Sequence, residues 1–182
     1  MDKQLLAFLA DGLEEIEAIT SIDVLRRAGL DVTTVTLADK QVHGSHGIDI
    51  LADEEMENLI ISEFAAVVLP GGMPGAKNLR DNPQVIDTIK KMDDNDRLIA
   101  AICAAPMALD KAGILDNHKF TIHPSMEDQV AGASTGARTM VDGNVITGIG
   151  PGAAIEFAYK IVEKLVGPDK VEELNSGIFA KL

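Results

Sequence analysis

Several residue types are scarce in this chain of 182 residues, and each scarcity excludes a class of protein. Cys103 is the single cysteine, so no disulfide can form within the chain. No group of cysteine and histidine residues has the spacing of a zinc site, and we expect neither a metal ion nor an organic cofactor. The chain has no tryptophan and one tyrosine, and so it offers few aromatic rings on which nucleic acid bases could stack.

Positive charge is also scarce. The chain has 16 lysine and arginine residues against 29 aspartate and glutamate residues, which gives a net charge of -13. General binding to nucleic acid or to an anionic membrane surface is therefore not expected. Apolar runs are far shorter than the ~20 residues that span a bilayer, and the first residues lack the pattern of a signal peptide. We predict a cytoplasmic protein that does not bind membranes.

Short apolar runs alternate along the chain with amphipathic segments, some of which end at glycine. A chain of this length with 46% hydrophobic residues is most simply one domain, residues 1–182. We predict the principal strands at residues 4–10, 31–37, 65–69 and 98–102. We predict helices at residues 13–28, 82–95, 107–112, 154–165 and 168–175. Alternating strands and helices favour a three-layer α/β sandwich around a mostly parallel sheet.

The segments between these elements carry weaker signals. Residues 139–147 have the pattern of a hairpin, and residues 41–51 are predicted to form a small hairpin or an excursion of the chain. Residues 53–61 are acidic and favour a short helix, whereas residues 120–123 favour a short strand. Asp11 precedes the first helix and is predicted to cap it.

Cys103 directly follows a predicted buried strand and precedes a predicted helix. On such a turn a thiol points out of the end of the sheet, close to the helix N–H groups. A free cysteine with a pKa of ~8.5 is only about 3% thiolate at pH 7, and a helix N-terminus lowers that pKa. We therefore consider Cys103 a candidate nucleophile, with a small buried apolar side chain as the alternative.

Glu17 is the most informative carboxylate of the sequence. It shares the predicted apolar face of the first helix, whose other members are Leu13, Ile16, Thr20 and Val24. Glu14 and Glu15 lie largely off that face, and the alternative is that all three glutamates form a solvated helix start. A buried carboxylate tends to have a raised pKa and can donate or shuttle a proton, so Glu17 is a candidate acid.

Two further loops are expected at the same edge of the sheet, because parallel strands place their carboxyl ends together. Residues 71–75 are rich in glycine and form either a plain tight turn or a place where backbone N–H groups approach a ligand. The amides of Gly72 and Ala104 are candidates for an oxyanion hole. His123 lies at a strand end and is a candidate to reach the same rim, with ordinary polar surface as the alternative.

Several of these stretches, taken together and in order, resemble the ThiJ/PfpI superfamily over nearly the whole chain. They are most similar to the branch that contains the human parkinsonism-associated protein deglycase and bacterial ThiJ-type proteins. The stretches are DGLEEIE at residues 11–17, LPGG at 69–72 with Gly75, AAICAAP at 100–106, TIHP at 121–124 and GPG at 150–152.

The resemblance implies a flavodoxin-like fold and a homodimer. It also implies that Cys103 is a nucleophilic, oxidation-sensitive cysteine, that Glu17 is hydrogen-bonded to its sulfur and that Gly72, Ala104 and His123 surround it. Peptidase-type members have histidine directly after the cysteine, where this chain has Ala104. Glutamine amidotransferases need a late His-x-Glu pair, which is absent after Cys103.

The function that the resemblance implies is the removal of small reactive aldehydes such as methylglyoxal, without glutathione or metal. It also implies repair of early glycation adducts. The second hypothesis is a non-enzymatic redox sensor or chaperone that responds to oxidation of Cys103. Peptidase activity ranks lower, because Ala104 stands where peptidase-type members have histidine. A link to thiazole phosphate biosynthesis also ranks lower, because no dedicated phosphate or thiamin site is recognisable.

Overall fold

A curled, mostly parallel sheet forms the middle layer of the molecule. The computed structural model describes residues 4–182, apart from the side chain of Asn58. The strands are β1 (Gln4–Leu9), β2 (Asp31–Thr36), β3 (Gln41–His43), β4 (Asp49–Leu51), β5 (Glu54–Glu55), β6 (Ala66–Leu69), β7 (Leu98–Ile102), β8 (Thr139–Asp142) and β9 (Val145–Gly148). Seven of them form the sheet in the order β5-β2-β1-β6-β7-β9-β8, in which only the β8–β9 pair is antiparallel. Strands β3 and β4 form a separate hairpin.

Helices cover both faces of this sheet. They are α1 (Glu15–Arg27), α2 (Gly75–Asp81), α3 (Pro83–Asp94), α4 (Pro106–Lys111), α5 (Ala154–Leu165) and α6 (Pro168–Ile178). Helices α1, α5 and α6 pack on one face, and α2, α3 and α4 pack on the other. The predicted flavodoxin-like three-layer sandwich is therefore confirmed. No helix within residues 4–182 is long and apolar enough to cross a membrane.

The central strands are apolar on both sides because both faces of the sheet are covered. In β1, the side chains of Leu5, Ala7 and Leu9 belong to the core beneath α1 and α5. The alternate side chains of Leu6 and Phe8 belong to the core on the opposite face. Because β1, β6 and β7 are parallel neighbours, the loops that follow them meet at one edge of the sheet.

The principal predicted strands and helices are confirmed, as are both hairpins. Helix α2 was not predicted, because the glycine and proline residues on its N-terminal side indicate a loop. Asn82 is the one residue between α2 and α3. Its side chain caps α3 by accepting hydrogen bonds from Gln84 N–H and Val85 N–H. The predicted helix at residues 53–61 is wrong, because that segment contains β5 and one short 3-10 turn, and a second 3-10 turn begins only at Ile61.

The predicted cap of the first helix is also wrong. Helix α1 begins at Glu15, and the side chain of Glu14 caps it by accepting a hydrogen bond from Ile16 N–H. The carboxylate of Asp11 instead accepts a hydrogen bond from the backbone N–H of His43, at 2.8 Å. Asp11 therefore ties the first loop to the β3–β4 hairpin.

Residues 120–123 do not form the predicted strand, because their backbone groups bond outside any strand ladder. The N–H of Thr121 donates to the side-chain hydroxyl of Thr147, at 2.8 Å. The N–H of His123 donates to the carbonyl of Cys103, at 2.9 Å. This extended segment consequently runs beside the cysteine without joining the sheet.

The buried face of α1 differs in part from the predicted one. Glu17 is fully buried, as predicted, but Ile16 is exposed and Glu15 is buried. The helix packs through Ala18, Ser21, Ile22, Val24 and Leu25. The phase error arises because Glu15 is covered by the β3–β4 hairpin, a long-range contact that helical periodicity does not reveal.

Candidate functional site

Cys103 occupies a sharp turn between β7 and α4. Its backbone has a φ of 63°, in the left-handed region that costs a residue with a side chain about 1–2 kcal/mol. The surrounding chain holds this conformation in place, because Cys103 N–H donates to the carbonyl of Gly148 at 2.8 Å and His123 N–H donates to the carbonyl of Cys103. The turn leaves the thiol partly buried at the carboxyl edge of the sheet.

Glu17 reaches the same place from α1. The backbone N–H of Gly71 donates to its Oε2 at 2.7 Å. Its Oε1 is buried and has no hydrogen-bond partner within the described part of the chain. Both side chains lie against Gly71, so Glu17 and Cys103 are brought together at this point, and the role predicted for the pair stays a prediction.

Gly71 is the point at which the two side chains converge. A Cβ atom placed on Gly71 would lie 2.6 Å from Cys103 Cβ, 2.7 Å from Glu17 Oε2 and 2.9 Å from the carbonyl oxygen of Ile102. Such distances are shorter than van der Waals contact, so only glycine fits between the thiol and the carboxyl. The sequence shows a Gly-Gly pair one proline after a predicted strand, but not that the first glycine fills this role.

The backbone amides of Gly72 and Ala104 both lower the pKa of the Cys103 thiol, so they favour its negative charge. They belong to the residues predicted for an oxyanion hole, and that role stays a prediction. Gly72 has a φ of 88°, and a Cβ atom there would lie 2.3 Å from the backbone nitrogen of Glu14. Its loop is therefore pressed against the start of α1, which fixes the position of the amide.

The backbone of His123 is bonded to Cys103, whereas its imidazole is bonded to Ser125. Its Nδ1 is 2.8 Å from the hydroxyl of Ser125 and accepts a hydrogen bond from Ser125 N–H. The neutral imidazole consequently carries its hydrogen on Nε2. Within residues 4–182, no hydrogen bond joins this imidazole to Cys103 or Glu17, so the part assigned to His123 stays a prediction.

Comparison with known proteins identifies the family of the chain. The sequence pattern of the DJ-1/PfpI family matches residues 3–164. The chain belongs to the DJ-1/PfpI family. It is 41% identical to Protein dj-1beta of Drosophila melanogaster over 182 residues, which cover 98% of this chain and 97% of that protein. It is 36% identical to Glutathione-independent glyoxalase DJR-1.2 of Caenorhabditis elegans over 167 residues, 88% of this chain and 87% of that protein.

Solved structures of DJ-1 proteins share the fold over almost the entire chain. The crystal structure of Drosophila DJ-1beta has a TM-score of 0.92 at 40% identity and covers 98% of each chain. The structure of oxidised Toxoplasma gondii DJ-1 has a TM-score of 0.92 at 33% identity and covers 97% of each chain. The resemblance to the superfamily seen in the sequence is thereby confirmed.

The two side chains at the centre of this DJ-1 fold perturb each other. Burial raises the pKa of Glu17, while contact with the Cys103 thiol and the Gly71 N–H opposes that rise, and the result is a pKa of about 7. Burial also raises the pKa of the Cys103 thiol, and the charge and hydrogen bond of Glu17 raise it further, to about 12. The amides of Gly72 and Ala104 lower the thiol pKa, as expected near a helix N-terminus, but burial and the charge of Glu17 outweigh them.

Because of these shifts in pKa, the buried pair of Glu17 and Cys103 retains a proton near neutral pH. The direction follows from desolvation, which disfavours two negative charges side by side in the protein interior. A thiolate can form without leaving two charges if the proton of the thiol passes to Glu17. The amides of Gly72 and Ala104 then stabilise the sulfur anion.

The raised pKa of Glu17 predicts a pH-dependent cost in stability. Its carboxyl binds a proton more tightly in the folded chain than in the unfolded chain, so stability falls as pH rises from about 4.5 to about 7. Above pH 7 the full cost is about 3 kcal/mol. We expect Glu17→Gln to be more stable than the wild type at pH 8 and to lose that advantage at pH 4.5.

Urea denaturation at the two pH values measures this difference. Glu127→Gln is the matched control, because Glu127 is exposed and its replacement should change stability by less than about 0.5 kcal/mol at either pH. An advantage of Glu17→Gln that is equal at both pH values would contradict the assigned shift.

Proposed function

We propose that this DJ-1 protein is a glutathione-independent glyoxalase that uses Cys103 to convert small reactive dicarbonyls into hydroxy acids. The observation that carries the proposal is the placement of one thiol against a carboxyl of raised pKa and two backbone N–H donors. A relative of 36% identity is named as a glutathione-independent glyoxalase, which supports the same assignment. The DJ-1 family itself does not fix this activity.

The first step is addition of sulfur to the aldehyde carbon of methylglyoxal. Ionised Glu17 accepts the proton of the thiol as the carbon–sulfur bond forms, so two adjacent negative charges never coexist. The amides of Gly72 and Ala104 donate to the oxygen that gains charge. Glu17 then passes the proton that it took from the thiol to that oxygen, which gives a hemithioacetal, leaves the neighbouring ketone unchanged and leaves Glu17 ionised for the next step.

The second step moves hydrogen between the two carbons. Glu17 removes the proton from the former aldehyde carbon and returns it to the former ketone carbon through an enediol, which yields a thioester of lactate. Water then hydrolyses the thioester, releases lactate and restores the thiol. The sum is methylglyoxal plus water giving lactate and a proton, without any oxidant or reductant.

His123 is proposed as the assisting residue. Its Nδ1 is engaged with Ser125, so its Nε2–H remains as the donor. An Nε2–H donor can stabilise the enediol oxygen. The His123 imidazole is held within its own turn. We therefore expect removal of this imidazole to lower the rate of lactate formation less than removal of the Glu17 carboxyl does.

The lactate formed from methylglyoxal by purified protein tests this mechanism. Cys103→Ser should reduce the rate to background, and Glu17→Gln should reduce it by about 10²-fold or more, as for loss of a general base. The wild-type kcat/KM should rise as pH increases through about 7, because the carboxylate of Glu17 accepts the thiol proton.

Glu127→Gln serves again as a control, because this exposed residue lies outside the proposed machinery. Full activity in Cys103→Ser would overturn the nucleophile. A kcat/KM that falls through pH 7 would show that Glu17 acts first as an acid rather than as a base.

Repair of early glycation adducts is proposed as an extension of the same chemistry. An adduct of an aldehyde with an amine or thiol can revert to the free carbonyl compound. The carbonyl carbon is then the same kind of carbon that the Cys103 thiol attacks in methylglyoxal. The site is at the surface edge of the sheet and Cys103 is only partly buried. Larger glycated groups could therefore approach the thiol.

A redox sensor is the second candidate function, and one observation favours it. The Oε1 atom of Glu17 is buried with no nitrogen or oxygen partner in the described part of the chain, so it is available to an oxygen added to the sulfur. Peroxide would convert the thiolate to sulfenic acid and then to sulfinic acid, releasing one water for each oxygen transferred. A relative of 33% identity is described in its oxidised form.

Mass spectrometry after mild peroxide treatment tests the sensor. We expect a gain of two oxygen atoms on Cys103 in the wild type and a smaller sulfinic fraction in Glu17→Ala, which lacks the carboxyl. A parallel assay of holdase activity should change with the oxidation. An unchanged mass and unchanged holdase activity would remove this candidate.

We also propose that the chain forms a homodimer. The proposal is supported by apolar side chains exposed on α1 and on the hairpin docked against it, among them Ile19 at 45% and Leu51 at 75% exposure.

The wild type should sediment as a dimer, and Ile19→Glu should shift it toward monomer. Phe179→Glu is the control, since Phe179 is 79% exposed near the C-terminus. A wild type that sediments as a monomer would contradict the dimer.

A further inference from the structure

The loop of the β3–β4 hairpin, residues 44–47, folds onto the start of α1. Ser45 N–H donates to the carbonyl of Leu13 at 2.9 Å, and His46 N–H donates to Glu15 Oε1 at 2.6 Å. Gly44 approaches so closely that a Cβ atom there would lie 2.3 Å from Glu15 Oε1. The loop thus buries the carboxylate of Glu15 and fixes one of its oxygens.

The second oxygen of Glu15 faces a histidine and another carboxylate. Glu15 Oε2 lies 2.9 Å from Nδ1 of His46, and Glu14 Oε2 lies 3.3 Å from the same nitrogen. The three donor atoms lie within 4.8 Å of one another. They come from two chain segments about thirty residues apart, so helical spacing alone does not assemble them.

The two distances from His46 Nδ1 are close to those between donors that share a metal ion. Ligand atoms bonded to Zn²⁺ at about 2.0–2.1 Å in a tetrahedron lie about 3.3 Å apart. An ion at the centre of the group would therefore replace the hydrogen now shared by His46 and Glu15, with only small movements of the three side chains. One ligand, Glu15, is already held by backbone N–H groups.

The charge of the group also favours a cation. Within residues 4–182, His46 is the only basic side chain within ion-pair distance of Glu14 or Glu15, so no lysine or arginine neutralises the two carboxylates. Imidazole nitrogen together with carboxylate oxygen suits Zn²⁺ and related transition metals better than Ca²⁺ or Mg²⁺, which prefer oxygen ligands alone.

We propose that Glu14, Glu15 and His46 form a binding site for a divalent transition metal ion of the Zn²⁺ type, with at least one coordination position open to solvent. The side chain of His46 is 68% exposed, which gives the ion a path of entry. The site is separate from the thiol, although Glu14 N–H donates to the carbonyl of Gly71 in the loop that faces Cys103. The proposal does not depend on the proposed glyoxalase activity.

Titration calorimetry with ZnCl₂ on the full chain, after removal of metal with EDTA, tests the site. The measurement is made in the Cys103→Ser background, because a free thiol is itself a zinc ligand. We expect one ion bound per chain, and binding at least 10-fold weaker in His46→Gln and in Glu14→Gln. Both substitutions are at accessible side chains, and thermal unfolding of each variant verifies that it is folded.

His43→Gln is the matched control, because His43 lies on the same hairpin, is exposed and pairs with the single carboxylate of Asp49. Its affinity for Zn²⁺ should equal that of the parent. Co²⁺ in place of Zn²⁺ should give visible absorption from a low-symmetry centre, which His46→Gln abolishes. The proposal is overturned if the parent binds no Zn²⁺, if His46→Gln binds as tightly as the parent, or if His43→Gln weakens binding equally.

Discussion

The hydrogen bond from Gly71 N–H to the carboxyl of Glu17 is the contact on which the rest of the site depends. It satisfies one oxygen of a carboxyl that would otherwise be buried without a donor, a state that costs several kcal/mol. It also joins α1 to the loop after β6 at the place where β7 ends in Cys103. Because only glycine fits at this junction, three separate segments of the fold fix the distance between acid and thiol.

Both functions proposed for the site arise from that enforced proximity. Two acidic groups buried together cannot both be ionised at low cost, so they hold a proton that either can release. In the proposed glyoxalase reaction, the carboxylate takes the thiol proton as the sulfur attacks the carbonyl. In the proposed sensor, the same proton transfer exposes a thiolate to oxidation by peroxide. The amides of Gly72 and Ala104 stabilise the anion in each case, so the geometry alone does not choose between the two reactions.

Much of the fold could be predicted because the central strands are short runs of apolar residues in the sequence. In the structure these strands are covered on both faces, so the local pattern agrees with their burial. The turn at Cys103 follows from the same pattern. The failures have a common cause, namely contacts between distant segments. Residues 120–123 have the composition of a strand, but their hydrogen bonds go to Thr147 and Cys103 instead of a ladder. Helical periodicity found Glu17 but placed Glu15 off the buried face, because the covering hairpin lies thirty residues away.

The contrast between Glu15 and Glu17 shows that burial alone does not determine what a carboxyl does. Both are buried in the first turn of α1, and burial raises the pKa of each. In Glu15, hydrogen bonds from His46 and from backbone N–H groups outweigh burial and lower the pKa to about 2, so the group stays anionic. In Glu17, the donors are a single amide and a weakly acidic thiol, and the pKa stays near 7. The number and strength of donors therefore make Glu15 a fixed anion and leave Glu17 able to gain and lose a proton near neutral pH.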